Sequence, residues 1–261
     1  MGREGRRSGI RPRKPESYVA RDYRHVVSGD GLVATRVCVG ETDLHIFADR
    51  DVEKVAQELV VRYRLQLETH IAKNPLFLSS LESLPLIHVA PPIIREMLQA
   101  GIDAGVGPMA AVAGAVARYV GMGLVAEGAR EIIVENGGDI FLHRHKDCTV
   151  SIFAGQSPLS YNVGIRLGSD KMPCGVCTSS GTIGHSLSFG DADSVTVVAD
   201  STSVADAVAT RLGNEVGRGR GGKEGVSRAL ECAGRFPAIR GVVVICNEIM
   251  GAVGDIELVK L

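Results

Sequence analysis

The sequence contains no tryptophan, and aromatic residues make up only 4% of its 261 residues. Proteins that bind single-stranded nucleic acid usually stack bases on aromatic side chains, so this scarcity argues against such a surface. The formal net charge is only -1, and it therefore gives no indication of a nucleic-acid or membrane partner. No apolar run reaches the ~20 residues that a membrane-spanning helix needs. We expect a globular protein with neither a nucleic-acid partner nor a membrane span.

A secretory signal is also lacking. The first 14 residues carry six Arg or Lys but no apolar stretch, which predicts a cytoplasmic protein. We expect residues 1–17 to form a flexible basic arm and residues 18–261 to form one domain. The six cysteines are scattered, and free thiols are the default in a cytoplasmic chain of this length. Cys174 and Cys177 form a single C-x-x-C pair, which is weak evidence for zinc because a structural zinc normally has four ligands.

Hydrophobic patterning predicts an α+β fold. Apolar residues at intervals of three and four predict helices at about 52–72, 91–104, 108–127, 203–210 and 226–233. Alternating or β-branched segments predict strands at 32–39, 44–48, 132–134, 140–142, 149–154, 163–167, 194–199 and 241–246, with a strand-like tail at 250–261. Several strands follow one another directly, which favours antiparallel pairing. A coarse echo between residues 32–127 and 149–233 would suit two related halves sharing one core.

The central stretch, residues 105–139, places two glycine-rich turns around a helix and a strand. Pro108 is well suited to begin the helix because its missing N–H is not needed at the first helical position. The next residues are almost all Ala, Val and Gly, so another backbone or a flat ligand can come close. The strand ends on Asn136-Gly137-Gly138-Asp139, where the glycines leave amides uncovered and Asp139 offers hard oxygens. Alone, these residues also fit an ordinary helix, strand and Asn-Gly turn.

Two later segments carry further polar groups. Residues 177–186 form a turn rich in hydroxyls and glycines with one imidazole, that of His185. His185 is a candidate acid or base, although a single loop histidine is more often merely hydrogen-bonded. Asp206 and Thr210 are four apart and therefore share one face of a helix. A carboxylate and a hydroxyl in this arrangement can supply two hard oxygens to Mg²⁺, but such pairs are also common on solvated helix faces.

These segments together resemble the ApbE-like superfamily, and within it an uncharacterised family rather than the flavin transferases themselves. The resemblance covers about residues 20–260 in order and spacing. It is carried by the segments Glu41–Leu44, Gly105–Gly114, Glu135–Asp139, Thr178–Gly181 and Ala205–Thr210.

The resemblance implies a T-fold-like α+β architecture, with antiparallel sheets packed against helices, and descent from enzymes that cleave FAD with Mg²⁺. Those enzymes release AMP and attach FMN to a Thr or Ser of an acceptor protein. By position, the metal ligands would be Asp206, Thr210 and the carbonyl of Ala110, with Asp139 and His185 as catalytic residues. The flavin or nucleotide would contact Gly107, Met109, Asn136, Gly137, Gly138, Thr178, Ser179, Ser180 and Gly181.

The sequence departs from the transferases at two places. They carry a lysine in Ala-Lys-Gly where this chain has Ala111 and Val112. They also have an Asp-Pro and a Thr-Gly after the histidine, whereas His185 is followed by residues 186–190 with neither. Three alternatives stay open: a Mg²⁺-dependent enzyme acting on a flavin or another phosphate-bearing ligand, a non-catalytic flavin or metabolite binder, and, with less support, a structural subunit. An oligomer is compatible with each.

Overall fold

A computed structural model of the chain describes residues 31–181, 190–217 and 222–261. Within them the helices are α1 (Glu53–Lys73), α2 (Leu76–Ser79), α3 (Pro92–Ala104), α4 (Val112–Ala126), α5 (Thr202–Val216) and α6 (Lys223–Ala233). The strands are β1 (Val33–Val39), β2 (Thr42–Ala48), β3 (Ile132–Asn136), β4 (Asp139–His143), β5 (Cys148–Ser151), β6 (Val163–Leu167), β7 (Cys174–Ser179), β8 (Ser194–Ala199), β9 (Ile239–Cys246), β10 (Ile249–Gly254) and β11 (Glu257–Lys260).

Eight of these strands form one antiparallel sheet in the order β1-β2-β3-β4-β7-β8-β9-β10. The other three form a smaller antiparallel sheet in the order β11-β6-β5. The antiparallel pairing predicted from the succession of strands is therefore confirmed, as is the α+β class. Four neighbouring strands, β1 to β4, flank helices α1 to α4 in sequence, and β7 to β10 flank α5 and α6. The order of strands, helices and strands thus occurs twice, over residues 33–143 and 174–254, whereas the expected echo placed the second part at 149–233. That the two parts are related halves stays a prediction.

The large sheet is apolar on both faces. One face packs against the helices, with Val134, Phe141, Val197 and Val244 among its buried residues. The opposite face packs against the small sheet through a second buried cluster that includes Ile133, Leu142, Val176, Val198 and Ile245. Because successive residues of a strand point to opposite faces, these strands consist of continuous apolar runs rather than alternating ones.

Helix α4 lies deep in this arrangement, packed against α5 and strands β3 and β4. Its glycines permit the close approach, since a Cβ on Gly121 would lie 2.2 Å from the Phe141 ring. By length and composition the stretch Pro108–Ala126 is apolar enough to cross a membrane, but the same features are those of a core helix. Its buried residues belong to the cluster between helices and sheet.

Two local predictions differ from the structure, and the short helix α2 was not predicted. The helix predicted from Pro108 begins as a 3-10 turn, Pro108–Ala111, and becomes α-helical at Val112. The strand predicted over 149–154 ends at Ser151. The segment 75–90 contains the short helix α2, which buries Phe77. The basic arm at 1–17 lies outside the described residues.

Candidate functional site

Four segments meet where the β3–β4 turn and the end of β7 approach the helix layer. They are the turn itself, the last residues of β7, the N-terminus of α4 and the first turns of α5. The helix-facing side of the sheet contributes Asn136, Asp139 and Cys177 here, and α5 contributes Asp206. The structure thus brings together residues that are up to 92 positions apart in the sequence.

Asp206 links α5 to α4. Its Oδ2 accepts a hydrogen bond of 2.8 Å from the backbone N–H of Gly114, in the first turn of α4. This carboxylate therefore caps a helix on which it does not lie, satisfying an N–H that the helix leaves unpaired. Thr210, one turn further along α5, is buried to the same degree as Asp206. The prediction that the two residues share one helix face is confirmed, and the face is buried rather than solvated.

Asp139 is the second buried carboxylate of this region. It begins β4, and only 6% of its surface is exposed. Burial is the largest influence on this carboxyl and raises its pKa to about 7, although hydrogen bonds from the Cys177 thiol and the Thr178 backbone N–H act in the opposite direction. The negative charge of Glu135 adds to the rise.

The pKa of Asp206 is also raised well above its ordinary value, by burial and by the negative charge of Asp139. Within the described residues, neither carboxylate forms an ion pair with Lys, Arg or His. Burying two interacting carboxylates without a cation is costly, and proteins usually avoid it by pairing, protonation or metal binding.

The β3–β4 turn is fixed by two hydrogen bonds and by the backbone conformation of its glycines. The amide of Asn136 donates a 3.0 Å bond to the carbonyl of Ala113 in α4. The N–H of Gly138 donates to Glu135 Oε1 at 2.9 Å. Gly137 and Gly138 both have positive φ, of 70° and 107°, a region that residues with a Cβ seldom adopt. The turn is therefore built by its glycines and tied to α4 by Asn136.

The Gly107–Ala110 segment packs against residues 80 and 81. The N–H of Gly107 donates to the carbonyl of Leu81, and a Cβ at this position would lie 1.8 Å from the carbonyl oxygen of Ser80. Met109 and Ala110 are partly buried and lie in the 3-10 turn that leads into α4. The backbone of Ala110 thus lies next to the helix that Asp206 caps.

The side chains of Thr178 and Ser179, in the Thr178–Gly181 segment, lie on opposite faces of the sheet. The Thr178 hydroxyl lies 2.9 Å from that of Thr196, on the face opposite the helices. Ser179, one residue on, is buried, and its Oγ has no hydrogen-bond partner among the described residues. Ser180 is half-buried. The N–H of Gly181 donates to the carbonyl of Ala192, and a Cβ there would overlap the carbonyl of Gly190.

His185 lies outside the described residues. The two cysteines of the C-x-x-C pair lie on opposite faces of β7, Cys174 in the cluster beneath the small sheet and Cys177 in the helix-facing cluster. They therefore do not form a joint metal or redox pair. Among the residues that the structure describes, no group of three or more His, Cys, Asp or Glu side chains is placed to hold a metal.

Sequence analysis did not anticipate the role of Cys177. Its thiol is buried, lies 3.2 Å from the carbonyl oxygen of Thr202, and also bonds to Asp139. Burial and the two neighbouring carboxylates hold its pKa well above the ordinary thiol value, so it acts as a neutral S–H donor. A strand predicted around residue 177 would have indicated on which face of the sheet the Cys177 side chain lies. Its partners come from α5 and β4, and only the folded structure brings them together.

Comparison with known proteins identifies relatives over most of the chain. A family model described as "AbpE bacteria" matches residues 24–248. A UPF0280 protein of Methanocaldococcus jannaschii is 44% identical over 229 residues, covering 86% of this chain and 92% of that protein. A UPF0280 protein of Methanosarcina acetivorans is 41% identical over 217 residues, covering 83% and 84%.

Solved structures show the same fold. The apo form of the flavinyl transferase ApbE from Pseudomonas stutzeri matches with a TM-score of 0.57 at 16% identity, over 85% of this chain and 93% of that one. The ApbE protein of Thermotoga maritima matches with a TM-score of 0.51 at 10% identity, over 84% and 96%. The superfamily expected from the sequence is thus confirmed, and the chain belongs to the AbpE bacteria family, whose relatives here are UPF0280 proteins with the ApbE-like fold.

Proposed function

We propose that this protein is a Mg²⁺-dependent enzyme that cleaves FAD or a related phosphate-bearing nucleotide, with a Thr or Ser of another protein as the acceptor of the flavin. The flavin transferase fold and the family supply the general class of activity. The metal dependence rests on one observation in this chain, the buried carboxylates of Asp139 and Asp206 that interact without a basic partner among the described residues.

The donors in this region fit Mg²⁺. This ion prefers oxygen ligands, keeps several waters, and is usually held by one or two carboxylates together with substrate phosphates. Asp206 and Thr210 supply a carboxylate and a hydroxyl from one buried helix face, and the backbone of Ala110 lies at the adjoining helix start. No thiolate or imidazole set for a softer metal exists among the described residues. When bound, the metal would neutralise charge on the phosphates, which is most of what phosphoryl transfer requires.

The protein residues would orient the ligand and hold the site in shape. Asp206 stays aligned through its bond to Gly114, and Asn136 fixes the glycine turn against α4. Asp139 is held by the Cys177 thiol and the Thr178 backbone N–H, and with a pKa of about 7 it can accept or release a proton at neutral pH. The unpartnered, buried Oγ of Ser179 offers a further hydrogen bond to a ligand at the end of β7. A catalytic role for His185 rests on the sequence alone.

The test is titration of the purified protein with FAD, with and without Mg²⁺, followed by chromatography for AMP and FMN. Without the acceptor protein, water takes the place of the Thr or Ser hydroxyl, so we expect metal-dependent release of AMP together with free FMN. Asp206→Asn and Thr210→Val should lower it at least tenfold, whereas Asp103→Asn, an exposed aspartate at the end of α3, should leave it unchanged. Release of AMP that is equally fast without a divalent metal would contradict the proposal.

A non-catalytic binding protein is the alternative, and three observations favour it. Asp206 serves as a helix cap, which is a structural role that would preserve it without catalysis. Ala111 and Val112 stand where the related transferases carry a lysine, and the Gly107 and Gly181 amides are already bonded within the chain. Binding of FAD without production of AMP would support this alternative.

A further inference from the structure

A cavity lies in the helix layer, outside the candidate metal site that contains Asp139 and Asp206. It has a volume of about 320 Å³ and is lined by Tyr63 of α1, Glu96 of α3, and Arg118, Tyr119, Met122 and Gly123 of α4. None of these residues belongs to the candidate metal site. From Gly114, which contacts Asp206, to Met122 is eight residues of helix, or about 12 Å at 1.5 Å per residue. A ligand here would therefore occupy a separate place.

The walls of this cavity are aromatic and polarizable. Tyr63 and Tyr119 meet edge to face, with ring centroids 5.3 Å apart and an interplanar angle of 68°. Beside them Met122 is 48% exposed, which is unusual for a side chain of a helix that is otherwise mostly buried. Two of the three tyrosines that the structure describes thus line one cavity, in a chain with few aromatic residues. Ring faces and a thioether form favourable contacts with a planar aromatic ligand.

The charged side chains of the cavity, Glu96 and Arg118, favour a ligand that accepts hydrogen bonds. Glu96 Oε1 accepts bonds from the hydroxyls of Ser201 and Ser203, at 2.9 and 2.8 Å, and lies 3.1 Å from Arg118 Nε. Burial and then the negative charge of Glu96 raise the pKa of the Tyr119 hydroxyl, which lies beside this carboxylate. With these donors around it, Glu96 is already satisfied and offers little to a ligand cation.

Arg118 is the group that can receive the ligand. Its Nε lies 3.1 Å from Glu96 Oε1 but makes no hydrogen bond, and its Nη1 donates to the carbonyl of Asp200 at 3.2 Å. A guanidinium carries five N–H donors in a planar fork, so these contacts do not exhaust it. Its side chain is 22% exposed, which leaves it within reach from the cavity.

We propose that this cavity binds a small planar aromatic compound of one ring that carries a carbonyl or carboxylate oxygen. The ring contacts Tyr63, Tyr119 and Met122, and the oxygen accepts hydrogen bonds from Arg118. Ligand pockets usually span about 300–1,000 Å³, so this volume lies at the lower end and suits a single ring rather than a whole dinucleotide.

The test uses benzamide and benzoate as probes, and protein labelled with ¹³C on the methionine methyl groups, without divalent metal. The Met122 resonance is assigned with Met122→Leu. We expect a saturable shift of the Met122 methyl signal with at least one probe, a nuclear Overhauser contact from that methyl to the ring protons, and no shift of the Met109 signal. Benzamide binding alone would identify a neutral carbonyl ligand, and benzoate binding alone an aromatic carboxylate.

Variants then test the assigned contacts. Tyr63→Leu and Arg118→Lys should weaken probe binding at least fivefold, because they remove a ring face and the planar donor fork respectively. Arg166→Lys, an exposed arginine of the small sheet, is the matched control and should leave the affinity unchanged. The absence of a saturable Met122 shift with both probes at millimolar concentration would overturn the proposal, as would unchanged affinity in folded Tyr63→Leu and Arg118→Lys. The Met122 shift and the Overhauser contact are measured on the wild-type protein, so they do not depend on whether a variant folds. Neither the probe titrations nor the variant affinities depend on FAD cleavage.

Discussion

The contact between α4 and α5 can be tested with a single methyl group at Gly114. A Cβ at this position would lie 2.5 Å from the carbonyl oxygen of Thr202 and 2.8 Å from the Cβ of Asp206. Both atoms belong to α5, and one of them is backbone, so a side-chain rotation cannot relieve the overlap. Gly114→Ala should therefore push the two helices apart and lengthen the 2.8 Å bond from Gly114 N to Asp206 Oδ2.

Gly123 of the same helix provides a matched control for the size of the effect. A Cβ there would lie 2.8 Å from Leu59 Cδ1, the far end of a flexible side chain that can move aside. Replacing Gly by Ala inside a helix gains about 1 kcal/mol from propensity in either variant. Overpacking against a fixed neighbour costs about 1–3 kcal/mol, and only Gly114→Ala should incur it in full. The two variants should thus differ by about 1–3 kcal/mol in the free energy of unfolding.

Urea denaturation followed by circular dichroism gives the free energy of unfolding of both variants. Calorimetric titration with Mg²⁺ gives a second measurement, since displacement of Asp206 should weaken metal binding in Gly114→Ala and not in Gly123→Ala. If Gly114→Ala were as stable as Gly123→Ala, the close helix contact would not exist as described. If stability fell but metal affinity did not, Asp206 would not be a ligand.

Three further predictions concern the same region. The metal-free protein should lose stability as pH rises from about 4, near the carboxyl pKa of an unfolded chain, to about 7, the raised pKa of Asp139. The reason is that in this pH range the unfolded chain holds fewer protons than the folded one. The melting temperature of Asp139→Asn should therefore fall less steeply with pH than that of the parent chain. Cys177→Ala should weaken Mg²⁺ binding at pH 7 because Asp139 loses a donor, Cys177→Ser should restore it, and Cys174→Ala on the other face of β7 should have no effect on it. Asn136→Ala should lower the free energy of unfolding by about 1 kcal/mol, measured by urea denaturation, by removing the 3.0 Å bond to Ala113.

Much of the fold follows from local sequence patterns. Continuous β-branched runs predicted most of the strands, because strands covered on both faces have no polar side to interrupt the run. The order of elements predicted antiparallel pairing, since strands joined by short loops have no room for a crossover. The shared face of Asp206 and Thr210 followed from helix periodicity alone. Burial of that face did not, because it depends on the sheet that packs against α5.

Glycine roles were harder to predict. In a sequence a glycine that exposes its amide to a ligand looks the same as one that admits a neighbouring backbone. Gly137 and Gly138 do form a turn with positive φ, as expected. Gly107 instead allows the close approach of Ser80, and Gly181 that of Gly190, which lie 27 and nine positions away in the sequence. Only tertiary packing distinguishes the two uses.

The alternation of side chains along β7 explains the remaining differences between the predicted and the observed positions of residues 174–178. A spacing of three residues places two side chains on opposite faces of a strand, so Cys174 and Cys177 separate as soon as β7 is known to be extended there. The same alternation turns the Thr178 hydroxyl toward Thr196 and directs Cys177 toward Asp139. A motif interpreted as a loop gives no such rule, because residues in loops do not alternate.

Asp206 allows structural and functional roles to be separated. A helix cap needs only an oxygen acceptor, which Asn, Ser or Thr provides as well as Asp and without a buried charge. A stability requirement alone therefore does not explain a carboxylate placed where Asp139 and burial oppose its ionisation. Asp206→Asn keeps an acceptor for the Gly114 N–H and removes the charge. Without metal, this variant should be at least as stable as the parent chain in thermal unfolding.

Addition of Mg²⁺ should then raise the melting temperature of the parent chain and leave that of Asp206→Asn unchanged, since a ligand stabilises only the folded state that binds it. Asp103→Asn should behave like the parent chain. A loss of stability in metal-free Asp206→Asn would show that the charge itself holds α4 and α5 together. In that case the carboxylate would be structural, and the metal site would have to be sought around Asp139 instead.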